Sequence, residues 1–328
     1  MGLSTEKIRA HIEHWSHVLK IPSNRDYRAK WPRYLFRHEP LENASQIIKS
    51  GQLLSRDQAQ DVSHLDIAAP SVISTRNDAY AFTRLYFRPL NPTQYHVEGI
   101  RKQTEFYLGN DQTNAPVLVM FLFSAESVLA MPGTHFSNGN MQGIGTEYGN
   151  DTEFFDSINF QHVFHDGPRT GPDAQQILKA RCAEVLTTSP LYLEQHLLGI
   201  RCRSEAERIT LIHLCGDELR PNLRSKIKTY TEVGLFQNRF SYLKSVDISS
   251  DGLSFSLHPR EDSKEVIVRL EIHDSRGTRV ARVQNTLVNP AKTQRLSKHF
   301  DDGKYLVRIW VEDQLGYNAV LTVDSFPF

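Results

Sequence analysis

At 328 residues, with 38 Lys and Arg against 38 Asp and Glu, the chain carries no formal net charge, which excludes binding to nucleic acid through overall charge and leaves only a local patch for it. Hydrophobic residues at 39% and charged residues at 23% suit two ordinary cores rather than a disordered or membrane chain. Cys182, Cys202 and Cys215 make neither a disulfide framework nor a CxxC zinc pair, so a reducing compartment and no metal are expected. The first residues lead into a polar helix rather than an apolar signal segment, and the longest apolar run, 117–123, is too short to span a bilayer. A cytoplasmic protein with no membrane partner is therefore expected.

In chain order, Ser4 is a candidate N-cap for a helix with Ile8, Ile12, Trp15 and Leu19 at helical spacing. Residues 20–37 carry Lys20, Arg25, Arg28, Lys30, Arg33 and Arg37 against one acid, Asp26, with Tyr27, Trp31 and Tyr34 interleaved. Cations with flat rings suit a single nucleic-acid strand; a solvated loop with buried aromatics fits the same pattern. The pattern then predicts a short strand over 34–36, a helix over 42–49 closed by Gly51, an irregular polar connection over 55–80, and a strand over 85–88 stopped by Pro89 and Pro92. A buried central strand is expected over 117–123, then a short helix over 125–131, a Gly/Asn-rich loop over 135–145, a helix over 173–180, a strand over 183–187 and a helix over 204–215.

Beyond residue 243 the texture changes. Segments 266–272, 279–283, 305–311 and 319–323 alternate apolar and polar residues, separated by turns such as Asp274-Ser275-Arg276-Gly277 and Asp301-Asp302-Gly303. This indicates an all-β sandwich of immunoglobulin or fibronectin type. The expected division is 1–243 for an α+β domain and 244–328 for the sandwich, which shows no catalytic cluster and suits docking of a protein partner.

Three clusters could carry chemistry: Arg37-His38-Glu39; the stretch 76–95 with Arg76, Arg84 and Arg88 among aromatics; and Glu184 in the apolar strand Ala183-Glu-Val-Leu. A carboxylate in such a strand is either paired with a cation or functional, because unpaired burial is costly. Cys182 reads as a core thiol rather than a nucleophile. No GxSxG, Walker A, GxGxxG or HExxH motif is present.

Four segments in order are similar to the DarT family of DNA ADP-ribosyltransferase toxins. Leu35-Phe-Arg-His-Glu-Pro-Leu-Glu-Asn with Ile47-Ile-Lys-Ser-Gly-Gln-Leu-Leu resembles its opening strand and helix. Residues 81–95 resemble its tyrosine- and phenylalanine-rich signature, 117–123 with Phe136-Ser-Asn-Gly-Asn its later strand and loop, and Cys182-Ala-Glu-Val-Leu the strand carrying its catalytic glutamate. The resemblance spans about 33–215. It implies an ADP-ribosyltransferase fold, a split mixed sheet with surrounding helices and an NAD cleft, with NAD as substrate and no metal. The implied target is a base in single-stranded DNA, with RNA as the alternative. The implied setting is a toxin–antitoxin or phage-defence system with a macrodomain antitoxin. A catalytically silent NAD- or nucleic-acid-binding module is the competing class.

Carried over by position, Glu184 is the catalytic acid, Arg76 the functional arginine with Arg84 as fallback, and Arg37, His38, Glu39, Gln46 and Leu54 the NAD-binding residues. Arg84, Arg88, Arg101 and Lys102 are the expected track for the strand. The chain departs from the family in having Arg37 where histidine is usual, and Arg88-Pro89-Leu90 where many members have Pro-Arg.

Overall fold

The computed structural model describes residues 2–20, 26–59, 77–107, 114–168, 170–230 and 234–324. Arg25, Arg76 and most of the polar connection after residue 59 lie outside the described residues. Ser4 accepts a hydrogen bond from the Lys7 amide at 3.2 Å and starts the helix Thr5–Val18, as its capping chemistry dictates. β1 (Tyr34–Pro40) feeds the helix Leu41–Ser50, which ends at Gly51 in the left-handed conformation, φ 75°. A Cβ there would also strike the Arg220 guanidinium, so glycine serves both the turn and the packing.

β2 (Gln52–Leu53), β3 (Thr83–Tyr86), β4 (Leu118–Ser124), β5 (His135–Ser137), β6 (Tyr148–Gly149), β7 (Glu184–Thr187), β8 (Leu191–Tyr192), β9 (Leu197–Cys202) and β10 (Ile227–Thr229) complete the first part. With β1, seven of these form one eight-stranded sheet in the order β10-β9-β4-β1-β3-β7-β5-β6, while β2 pairs with β8. Only β10 and β9 run parallel, so the sheet is mixed. β4 lies inside it and is buried from Leu118 to Phe123, which explains its unbroken apolar run. β1 and β4 are paired over seven positions, but β1 and β3 only at Phe36–Tyr86. The sheet therefore splits between β1 and β3.

β11 (Leu243–Ser249), β12 (Gly252–Leu257), β13 (Val266–His273), β14 (Arg279–Val288), β15 (Gln294–Ser297), β16 (Gly303–Val311) and β17 (Gln314–Val323) form two antiparallel sheets, β11-β12-β15 and β14-β13-β16-β17. Alternate residues such as Val266, Val268, Leu270 and Ile272 are buried between them, as a sandwich requires. The fourth strand pairs with the third, whereas an immunoglobulin constant domain places it beside the fifth.

The helix Glu205–Cys215 closes one open side of the sandwich, and Ala206 and Ile100 belong to the sandwich core. Behind that helix Arg203 donates to both Glu207 oxygens at 3.0 and 3.1 Å, with Glu98 3.9 Å away. Glu98 in turn accepts from Gln94 and from the amides of Gln237 and Asn238. This buried network ties the first part of the chain to the segment that enters the sandwich.

Candidate active site

The split between β1 and β3 opens into a cavity of about 720 Å³ lined by Arg37, His38, Glu39, Gln46, Leu54, Tyr80, Phe82, Arg84, Tyr86, Asn140 and Ile144, among others. Where β1 and β3 part, the missing ladder bond is replaced by a side chain: Arg37 Nη1 donates to the Arg84 carbonyl at 3.2 Å. Arg37 is itself held by Glu39, with Nε to Oε1 at 2.6 Å, and the other Glu39 oxygen accepts from Asn43 at 3.1 Å. Glu39 is almost fully buried and both its oxygens are used, so its place in the wall is to aim Arg37. His38 stacks on Tyr86 with ring centroids 5.4 Å apart and planes 9° from parallel. Burial, then the Arg37 charge, push its imidazole down to about 3, so it is neutral near pH 7.

Glu184 opens β7 opposite Tyr86 of β3 and has no exposed surface. Its Oε1 accepts from Arg84 Nε at 3.1 Å and Nη2 at 2.7 Å, and its Oε2 from the Met141 amide at 2.9 Å. Arg84 Nη2 also donates to Asn140 Oδ1 at 3.0 Å. Arg84, not Glu184, is the group that lines the cavity, with 18% of its side chain exposed. Burial is the largest influence on the Arg84 guanidinium and would lower it, but the charges and hydrogen bonds of Glu184 and Tyr86 together outweigh it and the net shift is upward. The Glu184 amide is pinned by Ser137 Oγ at 3.1 Å. Cys182, beside it, is buried, and burial with the Glu184 charge pushes its thiol up to about 12, which makes it a poor nucleophile.

The five residues assigned to NAD from sequence line one cavity, and Glu184 lies behind its wall. Arg84, expected both on the strand track and as the fallback functional arginine, lines the cavity and holds Glu184. Asn140, Met141, Asn43 and Tyr86 were not singled out; only the Phe-Ser-Asn-Gly-Asn resemblance pointed toward Asn140.

The rest of the expected track needs correction. Arg88 is buried, donating to Pro89 O at 2.9 Å, Val163 O at 3.2 Å and His165 O, with its guanidinium 4.8 Å from the Trp31 ring centroid. Arg101 is buried too, bonded to the carbonyls of Tyr95 and Glu98 and lying over Phe240. Arg28 bonds the Phe164 carbonyl and Trp31 joins the core. Four cations and rings that read as a nucleic-acid surface thus stitch loops together; Lys102 is half-buried. Arg88→Ala is expected to cost about 2–3 kcal/mol, because it orphans buried carbonyls. Thermal unfolding checks this; an unchanged Tm with weakened DNA binding would restore the surface reading.

His11 has the same character as His38. It packs on Phe155 and Phe160, and burial, then Lys7, push it down to about 3. Both rings take a proton near pH 6.5 in the unfolded chain but only near pH 3 in the folded one. Between those values the unfolded chain binds more protons, so stability is fully present above pH 6.5 and is lost as pH falls toward 3. The Tm should drop between about pH 7 and about pH 4.5, and His11→Phe should flatten that slope; an unaltered slope would contradict the assignment.

Among the described residues no helix is long and apolar enough to cross a membrane, and no group of three His, Cys, Asp or Glu is placed to hold a metal. The family model for DarT, ssDNA thymidine ADP-ribosyltransferase, matches residues 36–231, more than half of the chain. Solved structures of Thermus sp. 2.9 DarT also align. The complex with ADP-ribosylated ssDNA does so at 15% identity over 61% of this chain and 94% of that chain, TM-score 0.48. The complex with carba-NAD+ gives 14%, 60%, 95% and 0.44. The complex with NAD+ gives 13%, 61%, 96% and 0.43. No curated protein matches the sequence. At that level of structural likeness the family match carries the assignment: the chain belongs to the DarT family of ssDNA thymidine ADP-ribosyltransferases.

Proposed function

We propose that the cavity between β1 and β3 binds NAD, and that Glu184 serves transfer of its ADP-ribose to a thymidine base of single-stranded DNA. The family match over 36–231 carries the reaction; the geometry supports the roles. The volume is within the range of small-molecule sites, and the wall offers what a dinucleotide needs: a guanidinium from Arg37 for the diphosphate and the stacked pair His38–Tyr86 for a flat ring. A neutral His38 is compatible with a positively charged nicotinamide ring, which a protonated one would repel. Gln46 and Leu54 complete the wall.

The bond from the ribose C1′ to the nicotinamide nitrogen breaks, and nicotinamide leaves with the bonding pair through an oxocarbenium-like state. A base nitrogen supplies the pair for the new bond, and its proton is released. Thymidine has one ring nitrogen free of its sugar, and it carries that proton. The Glu184 carboxylate stabilises the positive charge that develops on the ribose, and it does so best if fixed beforehand. Arg84 and the Met141 amide fix it. Arg76 is proposed to orient NAD; an arginine is a poor base, since its pKa is above about 12.

Arg84 is therefore a positioning residue. Arg84→Ala should lower kcat about 10- to 100-fold with a smaller change in KM for NAD, and Arg84→Lys should recover part of it. A loss confined to KM would contradict this role. Lys102 is the remaining proposed contact to the strand. The setting proposed is cytoplasmic, consistent with three buried unpaired cysteines. A base mark on DNA suits a toxin opposed by a macrodomain antitoxin, with the sandwich of residues 244–328 as the part that meets a protein partner.

The test is purified protein with labelled NAD and separate pools of single-stranded DNA, duplex DNA and RNA. Label should enter single-stranded DNA. Label on RNA alone, or nicotinamide release with no labelled nucleic acid, would contradict the proposal.

A further inference from the structure

We infer that Ile144 is an apolar wedge that enters between the target base and its neighbour in the single strand and holds the target base out for transfer. The inference rests on the reading of the cavity as a single-strand ADP-ribosyltransferase site. Ile144 lies in the connection between β5 and β6, lines the mouth of the cavity, and is 101% exposed. A side chain of this size gains roughly 1.5–3 kcal/mol on burial, and here nothing in the fold takes it.

The tip that presents it is built, not loose. The Gly143 amide donates to Asn140 O at 2.7 Å, the Gln142 amide to Asn140 Oδ1 at 2.9 Å, and the Thr146 amide to Gly143 O at 3.2 Å. Lys179 Nζ grips the Gly145 carbonyl at 2.7 Å. The base of the same loop is fastened to the proposed catalytic groups, through Arg84 to Asn140 and the Met141 amide to Glu184. Gly145 has φ +71°, and a Cβ built on it meets nothing within 4 Å, so glycine allows the turn and the space beside the wedge is open.

A flat face lines the same cavity. Phe82 lines the cavity and packs against His135 and Tyr148 with centroids 5.3 and 5.8 Å away, and Tyr148 is 36% exposed. A base displaced by the wedge can stack there. Neighbouring bases in a single strand still stack on one another, and chemistry on a base requires it to leave the stack. Isoleucine is among the side chains that proteins insert between base steps. Fastening the wedge to Glu184 through one short loop places separation of the bases beside the transfer step.

The test uses an oligonucleotide with 2-aminopurine next to its single thymidine, mixed with protein carrying Glu184→Gln so that the complex is not consumed. Binding should raise the fluorescence severalfold, and the rise should vanish when Ile144→Ala is added. In the otherwise unmodified protein, Ile144→Ala should lower kcat/KM for the oligonucleotide about tenfold, equivalent to about 1.4 kcal/mol, with KM for NAD unchanged, and Ile144→Leu should restore it. A full fluorescence rise without Ile144, or a loss confined to KM for NAD, would overturn the wedge. An Ile144-dependent rise in a protein that transfers nothing to any strand would support the wedge and contradict the reading of function.

Discussion

Glu184→Gln is expected to lower ADP-ribose transfer by at least about a thousandfold while the protein stays folded. The carboxylate is fully buried and satisfied by three hydrogen bonds, two from Arg84 and one from the Met141 amide, so it meets a developing positive charge without reorganising. Glutamine keeps the shape and removes the charge. One of its two terminal positions becomes a donor facing another donor, Arg84 or the Met141 amide, which costs about 1–3 kcal/mol. Glu184→Ala is a less clean probe, because it strands the Arg84 guanidinium with little solvent to replace its partner. Transfer, unfolding temperature and circular dichroism on the Gln variant separate chemistry from folding. Transfer at the wild-type rate would remove Glu184 from the mechanism.

Glu207→Ala carries the largest expected cost in stability, about 3–5 kcal/mol, because it breaks a buried pair and leaves one charge behind. The side chains of Arg203 and Glu207 are 1% and 0% exposed, and Arg203 Nη2 also bonds the Pro116 carbonyl at 2.5 Å. Glu98, 3.9 Å from Arg203, offsets part of the loss and favours the lower end of that range. The network sits where the sandwich joins, so the lost stability should appear as earlier unfolding of the whole chain rather than of one loop. A surface ion pair nearby gives the control. Glu205 and Arg208 pair at 2.6 Å on the surface of the same helix, and Glu205→Ala should cost under about 1 kcal/mol. Equal unfolding temperatures for the two variants would contradict the role given to the network.

Much of this fold was legible because period and chemistry agree locally. The run at β4, the cap at Ser4, the stop at Gly51 and the alternation of β13 and β16 each follow from residues adjacent in sequence. β11 and β12 were not anticipated, since Ser245, Ser254 and Ser256 dilute their alternation, although Leu253, Phe255 and Leu257 face the core. Glu184 stood out as a carboxylate in an apolar strand, and the structure shows the first of the two explanations for it: it is paired with Arg84, which lines the cavity. Its partner was not legible, because the ion pair spans 100 positions and depends on the register of β3 against β7. Arg88 and Arg101 misled for a related reason. An arginine satisfied by carbonyls 75 residues away has the same sequence signature as one on a surface. The fully exposed Ile144, by contrast, is an ordinary residue in sequence and becomes informative only once the loop around it is seen to be fastened.

The most direct test of the central claim is the identity of the modified nucleoside. Thymidine-containing single-stranded DNA incubated with the protein and NAD, digested to nucleosides and examined by mass spectrometry, should yield thymidine carrying one ADP-ribose, with none from the Glu184→Gln protein. ADP-ribose on a different nucleoside, or the same yield from both proteins, would contradict the account.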